Sequence, residues 1–154
     1  MVQNSEVLVG APPGQVPIDI MVPTHNRLEL TIKCIQSIYD YTRTPFYLIV
    51  TDQQLGRDAG DLTPLYLRQL QKEKDNVTII STPIKSGNHF FNLALERCKT
   101  PFLVTVMNSI TVEPDWENVA LQLMANDPKI GIIGFKCLFP WGLIESAGIQ
   151  MAGF

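Results

Sequence analysis

The segment Ile18–Arg27, with the sequence IDIMVPTHNR, determines how this chain is interpreted. Its apolar first half is typical of a buried strand, and Pro23 ends that strand before a helix that begins near Arg27. In an open α/β sheet, ligands bind at the carboxyl ends of such strands. The polar residues at this end could hold a base or a sugar, and the N-terminus of the new helix favours an anion. The first hypothesis is therefore a nucleotide-type ligand.

The composition is that of one globular domain with a sizeable core, at 154 residues, 45% hydrophobic and 18% charged. A net charge of −3 does not favour nucleic-acid binding through a basic surface. No apolar run approaches the roughly 20 residues that span a bilayer. Residues 1–16 lack the features of a signal peptide and predict a flexible tail before a domain over 17–154. Three widely spaced cysteines indicate reduced thiols in a cytoplasmic protein.

Short β-rich runs alternate with amphipathic helices along the chain. The predicted strands are 18–22, 46–50, 77–80, 102–107 and 130–134. Such alternation predicts an open, mostly parallel sheet with helices on both faces. Residues 135–139 and 143–149 predict a small C-terminal hairpin across Pro140-Trp141-Gly142.

The helices are predicted from apolar residues at helical spacing. The first helix follows Asn26 and Glu29, which resemble a capping pair. Pro64 suits the first turn of the second helix, which ends near Lys74. The apolar face expected for the first helix consists of Leu28, Ile32, Ile35, Ile38 and Tyr39. For the third helix it consists of Phe91, Leu95 and Cys98, and for the fourth of Val119, Leu123 and Met124.

Right-handed crossovers place the carboxyl ends of all parallel strands at one edge of the sheet. Three polar segments then collect there: 23–27, 51–54 and 108–111. Thr24, His25 and Asn26 could contact a base and ribose, or could cap the helix and leave the histidine in solvent. Asp52 could accept a hydrogen bond from a base N–H or a ribose hydroxyl, or could cap an ordinary turn.

Two further groups of polar residues lie near this edge in the predicted arrangement. Lys85 and Asn92 flank the start of the third helix, where they could meet phosphate or sugar oxygens or form a solvated, capped loop. Asn108 and Ser109 end the fourth strand, and they are poor ligands for a hard divalent cation, which prefers carboxylates. The chain contains no GxxxxGK[ST], GxGxxG or GxSxG motif, which argues against common NTPases, Rossmann dehydrogenases and α/β-hydrolases.

Taken in order, several segments resemble the glycosyltransferases of family 2, which have the GT-A fold. IDIMVPTHNR resembles that family's strand followed by P-T-Y-N-R, Cys34–Ile38 resembles C-L-x-S-L, and LIVTDQQ resembles the strand that ends in V-D-D-G-S. Asn92 falls on the asparagine of the family's G…a-x-N-x-G-l helix. The later matches are Thr100 to Trp116, which resembles T-P-Y-x-x-x-L-N-N-D-x-x-V-x-P-x-W, and Ile130 to Gly148, which resembles V-G-x-V-G-x-K-L-x-Y-P-x-G-x-I-x-x-A-G.

The resemblance implies a nucleotide-diphosphate sugar as donor, usually with Mg²⁺ or Mn²⁺. It places Pro23, Thr24 and His25 in the base and ribose pocket, puts Asn92 at the family's asparagine, and assigns Asp52 to the uracil or ribose. The expected donor site also includes Asn26, Arg27 and Lys85, on account of their positions at the first strand end and at the helix starts. Asn108 and Ser109 fall on the short acidic motif that bridges the metal and the diphosphate, with Ser109 at the aspartate. His25 replaces the usual tyrosine, and Gln53 replaces the second acid after the second strand.

The resemblance also implies an acceptor-binding half that would follow Phe154 and carry the catalytic base. We therefore expect 17–154 to lack that half, and no catalytic residue is predicted within it. The leading hypothesis is a glycosyltransferase, or its donor-binding portion, that transfers a sugar to a saccharide or another acceptor hydroxyl. The alternatives are an inert nucleotide-sugar-binding or interaction module of the same fold, and a domain that self-associates or binds a partner chain through residues 135–154.

Overall fold

The computed structural model describes residues 16–83 and 87–148, so nearly all of the predicted tail lies outside the described residues. Its elements alternate along the chain as predicted. They are β1 (Ile18–Thr24), α1 (Leu28–Tyr41), β2 (Phe46–Gln53), α2 (Thr63–Glu73), β3 (Val77–Thr82), α3 (Gly87–Leu95), β4 (Leu103–Thr105), α4 (Trp116–Asn126), β5 (Cys137–Leu138) and β6 (Ile144–Ser146).

The four-stranded sheet is parallel throughout, in the order β3-β2-β1-β4. β1 is therefore central, and Ile18, Ile20, Met21 and Val22 are fully buried in it. The register pairs Thr24 with Asp52, so β1 and β2 end side by side. This confirms the predicted open α/β sheet and places the two polar strand ends next to each other.

Helices cover both faces of the sheet, also as predicted. On one face, Ile20 and Val22 belong to a core that includes Ile35 of α1, Leu67 of α2 and Leu121 of α4. On the other face, Met21 and Ile49 pack against Phe90 and Ala94 of α3. Strand alternation accounts for the division, because successive side chains of β1 point to opposite faces.

The prediction of a fifth sheet strand at 130–134 is wrong. This segment has no regular secondary structure, and the side chain of Ile132 is 91% exposed. β4 is the edge strand on that side and has only three residues, and no strand of the described ranges pairs with 130–134. An apolar run without a ladder partner leaves its backbone groups unpaired and does not become a strand.

The predicted apolar faces of α3 and α4 are wrong in part, although Cys98 packs against the core and Met124 is half-buried. Phe91 and Leu95 are exposed on α3, and Val119 and Leu123 are exposed on α4, whereas Leu121 is the apolar residue that α4 buries. Both helices are short, at 9 and 11 residues, and each carries apolar residues on more than one side. The side of the helix that packs against the sheet becomes buried, and periodicity alone does not predict which side that is.

The contacts of Glu117 determine which face of α4 is buried. Its Oε1 accepts hydrogen bonds from the backbone N–H groups of Arg43 (2.7 Å) and Thr44 (3.0 Å), so the carboxylate ties α4 to the connection between α1 and β2. The indole Nε1 of Trp116 donates to Thr42 Oγ1 in the same connection. A polar anchor of this kind overrides the apolar pattern, because burying a carboxylate requires hydrogen-bond partners.

The predicted hairpin is present as β5 paired antiparallel with β6, although Ile149, its expected end, lies outside the described residues. Gly142 turns between the strands with φ +86°, a conformation that suits glycine. In the part of the chain that the structure describes, no helix has the length and apolar character needed to cross a membrane. All three cysteines are free thiols, and burial raises the pKa of Cys34 to about 12.

Candidate functional site

The carboxyl ends of β1 and β2 form a hydrogen-bonded unit. Thr24 Oγ1 lies 3.3 Å from Asp52 Oδ1, to which it donates a hydrogen bond. His25 Nδ1 lies 3.3 Å from the carbonyl oxygen of Gln53 and donates to it when that nitrogen carries the proton. Thr24 and Asp52 are buried, whereas His25 is half-buried. Three of the predicted donor-site residues are thus brought together at one point of the sheet edge.

Arg57 lies directly on this unit. Its Nη2 donates to Asp52 Oδ1 at 2.5 Å and to the carbonyl oxygen of Gln53 at 2.8 Å. Its Nη1 forms a second ion pair with Asp61 Oδ2. The Asp52 side chain is only 2% exposed beneath it, and that of Arg57 is 16% exposed. Burial would lower the pKa of Arg57, but the bonds from both carboxylates outweigh it and raise that pKa.

The turn between β1 and α1 contacts the loop between β2 and α2, which carries Arg57. Asn26 and Arg27 both have left-handed backbone conformations, with φ of 56° and 58°. Asn26 Oδ1 accepts a hydrogen bond from the backbone N–H of Asp58 at 3.1 Å. The predicted Asn26–Glu29 capping pair is therefore wrong, since no side chain caps α1 and the amide is used across the site. Asparagine tolerates this conformation, whereas Arg27 pays about 1–2 kcal/mol for it.

A concavity of about 410 Å³ lies beside the cluster, between the first turn of α1 (residues 27–30) and residues 60–62. Asp61 forms part of its wall, so the concavity reaches the second carboxylate that holds Arg57. Arg27, at the start of α1, is exposed on the same side. A ligand that extended from the strand ends into this space would meet both the arginine and the helix N-terminus.

The remaining predicted residues are more scattered. Asn108 is half-buried, and its Nδ2 donates to Thr31 Oγ1 of α1 at 3.1 Å. Ser109 is exposed in the turn that follows β4. Asn92 is exposed on α3, which packs on the opposite face of the sheet from α1. Lys85 lies outside the described residues. The structure therefore assembles the β1 and β2 ends closely, with Asn108 attached through α1.

Arg57 and Asp61 are not predicted as site residues from the sequence. A spacing of four residues predicts an ion pair on a helix but not in the loop between β2 and α2, and nothing in that loop indicates that Arg57 reaches back to Asp52. Asp61 carries a second signal, because its Oδ1 accepts hydrogen bonds from both the N–H and the hydroxyl of Thr63 at the start of α2. An aspartate that accepts a hydrogen bond from the N–H two residues further on is typical of an Asx turn.

The ion pair between Asp61 and Arg57 is expected to stabilise the fold at neutral pH and to lose this effect at acid pH. Burial would raise the pKa of Asp61, but hydrogen bonds from Thr63 and Arg57 outweigh it and hold that pKa below its ordinary value. A carboxyl whose folded-state pKa is lowered stabilises the fold above its unfolded pKa, about 3.9, and this contribution is lost as the pH falls through the folded-state value. We expect Asp61→Asn to lower the urea midpoint at pH 7 and to have a smaller effect near pH 3.

The exposed Asp58, three residues away in the same loop, provides the matched control. Asp58→Asn should leave the midpoint at pH 7 close to that of the unsubstituted protein. A loss for Asp61→Asn that is equally large at pH 7 and pH 3 would contradict the assignment of Asp61 to a charged pair.

The sequence profile of the family described as glycosyl transferase family 2 matches residues 19–139 of this chain. The chain belongs to this family. The matched range runs from the second residue of β1 to just past β5 and includes every residue of the Thr24–Asp52–Arg57 cluster. The resemblance of the motifs is thereby confirmed at the level of the family. A search of curated proteins finds no significant match.

Solved structures show the same GT-A fold for this family 2 domain. A mannosyltransferase, PcManGT from Pyrobaculum calidifontis in complex with GDP-Man and Mn²⁺, superposes with a TM-score of 0.66 at 22% identity, covering 80% of this chain and 36% of that one. TarS 1–349 from S. aureus superposes with a TM-score of 0.58 at 17% identity, covering 71% and 32%. It was also solved in complex with UDP-GlcNAc. The chain thus spans about a third of the length of these proteins.

Proposed function

We propose that this chain is the donor-binding part of a glycosyltransferase that transfers a sugar from a nucleotide-diphosphate sugar to a hydroxyl of a saccharide or another acceptor. The observation that carries the proposal is the linked set of Thr24, Asp52 and Arg57 at the ends of two adjacent central strands. Such strand ends are where open α/β sheets bind ligands. Family membership and the nucleotide sugars bound by structures of the same fold support this interpretation.

In this proposal the β1–α1 turn holds the base and ribose. Pro23, Thr24 and His25 line the pocket, and the imidazole offers a flat surface for the base. Arg27 and the exposed N–H groups at the start of α1 favour the diphosphate. Asn26 contributes by fixing the loop after β2 rather than by contacting the ligand. Asn92 keeps its proposed contact with phosphate or sugar oxygens on the strength of the family motif, and Lys85 keeps its own because it precedes the start of α3 in the sequence.

The residues at the metal motif do not fit a hard divalent cation by themselves. Asn108 and Ser109 offer a neutral amide oxygen and a hydroxyl, whereas Mg²⁺ sites use carboxylates together with substrate phosphates. The amide nitrogen of Asn108 is also committed to Thr31. Among the described residues, no group of three or more His, Cys, Asp or Glu side chains is arranged to hold a metal. We therefore assign Asn108 and Ser109 to hydrogen bonding with the donor.

Activation of an acceptor hydroxyl requires a positioned base. Asp115 and Glu145 are exposed carboxylates, but Asp115 precedes α4 and Glu145 lies in β6 of the hairpin, a separate two-stranded sheet. Within residues 16–83 and 87–148, no hydrogen bond or ion pair joins either carboxylate to Thr24 or Asp52. The proposal therefore covers donor binding by this chain and gives neither carboxylate a role in proton transfer.

Calorimetric titration tests the proposal. UDP, GDP and their sugars are titrated into the protein with and without Mn²⁺. We expect saturable binding of at least one nucleotide, because the site offers a flat histidine surface and the N–H groups at the start of α1, next to Arg27. If none of these compounds bound in either condition, the donor-site proposal would fail.

A second candidate is a non-catalytic nucleotide-sugar-binding module, which is favoured by the neutral residues Asn108 and Ser109 at the metal motif. A transfer assay with a broad acceptor panel separates the two functions. Turnover by this chain above that of a Thr24→Val, Asp52→Asn double variant would rule out the inert module. Binding of a donor sugar without turnover is expected both of an inert module and of a donor-binding part that carries no catalytic base, so only turnover distinguishes the two functions.

Self-association through the C-terminal segment also stays a prediction. Trp141, Leu143 and Ile144 are largely exposed, and the Trp141 ring stacks on Phe139 with centroids 4.7 Å apart. Apolar side chains grouped in this way are typical of contact surfaces. Sedimentation velocity over a range of concentrations tests this prediction directly.

A further inference from the structure

We propose that Arg57 reads the nucleobase of the donor by donating a hydrogen bond to a carbonyl oxygen on its edge, and that Asp52 positions Arg57 for this contact. The inference rests on the proposed function, because it assumes that the base lies at the ends of β1 and β2. It differs from the expectation drawn from the sequence, in which Asp52 itself meets the base. Asp52 is buried in the structure and pairs with Arg57, whose side chain is the more exposed of the two.

The hydrogen-bond inventory of Arg57 leaves donors for a ligand. A guanidinium carries five N–H donors and no acceptor. Both hydrogens of Nη2 are used, one by Asp52 Oδ1 and one by the carbonyl of Gln53, and one hydrogen of Nη1 is used by Asp61. The second Nη1 hydrogen and the Nε hydrogen have no acceptor among the described residues. The planar group is thus fixed by three partners and still offers two donors.

The guanidinium lies where it could contact the edge of a base that stacks on His25. Gln53 contributes one carbonyl oxygen that lies 2.8 Å from Arg57 Nη2 and 3.3 Å from His25 Nδ1. The imidazole and the guanidinium are therefore neighbours on the same backbone group. A base that stacked on the imidazole would bring its edge within reach of the arginine.

The local charge favours a neutral acceptor over a phosphate. The single positive charge of Arg57 is already paired with two carboxylates, Asp52 and Asp61, so the cluster carries a net charge of about −1. A diphosphate would be repelled by this excess, whereas a base carbonyl accepts a hydrogen bond without adding charge. Arg57 therefore suits the base end of the donor.

This geometry predicts which nucleotides bind. Uracil and guanine present a ring carbonyl oxygen on the edge, and adenine has none. A site that donates a hydrogen bond to a ligand rejects an analogue that lacks the acceptor, because the donors are then left unpaired. We expect UDP or GDP to bind at least about tenfold more tightly than ADP, which corresponds to one hydrogen bond to a charged group.

Calorimetry with UDP, GDP and ADP on Arg57 variants tests the inference. Arg57→Ala should weaken the preferred nucleotide by about tenfold and leave ADP nearly unchanged, so that the preference is lost. Arg57→Lys keeps a positive charge near both carboxylates and protects the fold, but it cannot reproduce the planar set of donors, so it should also lose the preference. Arg68→Ala removes an exposed arginine of α2 and serves as the matched control.

The possible outcomes separate the inference from the function on which it rests. If UDP or GDP binds and ADP binds equally well, or if Arg57→Lys weakens all three nucleotides by the same factor while remaining folded, Arg57 does not read the base, and the proposed function stands. If no nucleotide binds the unsubstituted protein, the proposed function fails and the inference fails with it. Loss of preference in folded Arg57→Lys, but not in Arg68→Ala, supports the inference.

Discussion

Replacing Asp52 with alanine is expected to lower the free energy of unfolding by about 2–3 kcal/mol and to weaken nucleotide binding by at least about tenfold. The carboxylate is buried and accepts hydrogen bonds from both Thr24 and Arg57. Without it, Thr24 loses a partner, and Arg57 keeps only Asp61 and the Gln53 carbonyl. The guanidinium would no longer be fixed over the strand ends, so both stability and ligand contacts should decline. Urea denaturation and calorimetry measure the two effects.

Two substitutions sharpen this prediction. Asp52→Asn keeps an oxygen that can accept from Thr24 and Arg57 but removes the charge, so its losses should be smaller than those of Asp52→Ala. Asp58→Ala removes an exposed carboxylate of the same loop and should leave stability within about 0.5 kcal/mol. If folded Asp52→Ala bound the preferred nucleotide as tightly as the unsubstituted protein, the role given to Asp52 would be wrong.

Replacing Ile20 with alanine is expected to destabilise the fold by about 2–5 kcal/mol. Ile20 is fully buried at the centre of β1, between β2 and β4, and it faces the core that α1, α2 and α4 cover. Truncation removes three buried carbons and leaves a cavity that a central strand cannot close by moving. The midpoint of urea denaturation should fall without a change in slope.

Ile132 offers the matched control, because the same substitution there removes the same atoms from a side chain that is 91% exposed. We expect Ile132→Ala to change stability by less than about 0.5 kcal/mol. This comparison also tests the correction to the fold, since the sequence predicts Ile132 in a buried fifth strand. A loss at Ile132 as large as that at Ile20 would show that 130–134 is packed in solution.

The sheet could be predicted from the sequence because its signals are local. The runs around Ile20, Leu48 and Ile79 are short, apolar and rich in β-branched residues, and each is followed by a helix, which leaves a parallel sheet as the consistent arrangement. The segment around Ile132 carries the same local signal and fails because a strand also needs a neighbour, which is a property of the whole fold. The inward face of α4 failed for a related reason, since Glu117 is buried by contacts with residues more than 70 positions away.

The candidate site was predictable in position but not in its contacts. The adjacency of Thr24 and Asp52 follows from parallel register at one sheet edge. The reach of Arg57 back to Asp52 depends on the path of an irregular loop, and no periodicity encodes that path. The amide of Asn26 illustrates the same limit, because a local rule assigned it to capping α1 and the fold uses it to hold Asp58.

Nuclear magnetic resonance of the ¹⁵N-labelled protein during titration with UDP and GDP tests the central claim most directly, because it reports where a nucleotide binds. We expect the largest shifts at the backbone amides of 24–27 and 52–61, which form the ends of β1 and β2 and the loop that carries Arg57. The amides of β5 and β6 should change little. Shifts confined to the hairpin, or no shifts at saturating nucleotide, would contradict the assignment of a nucleotide-sugar site to these strand ends.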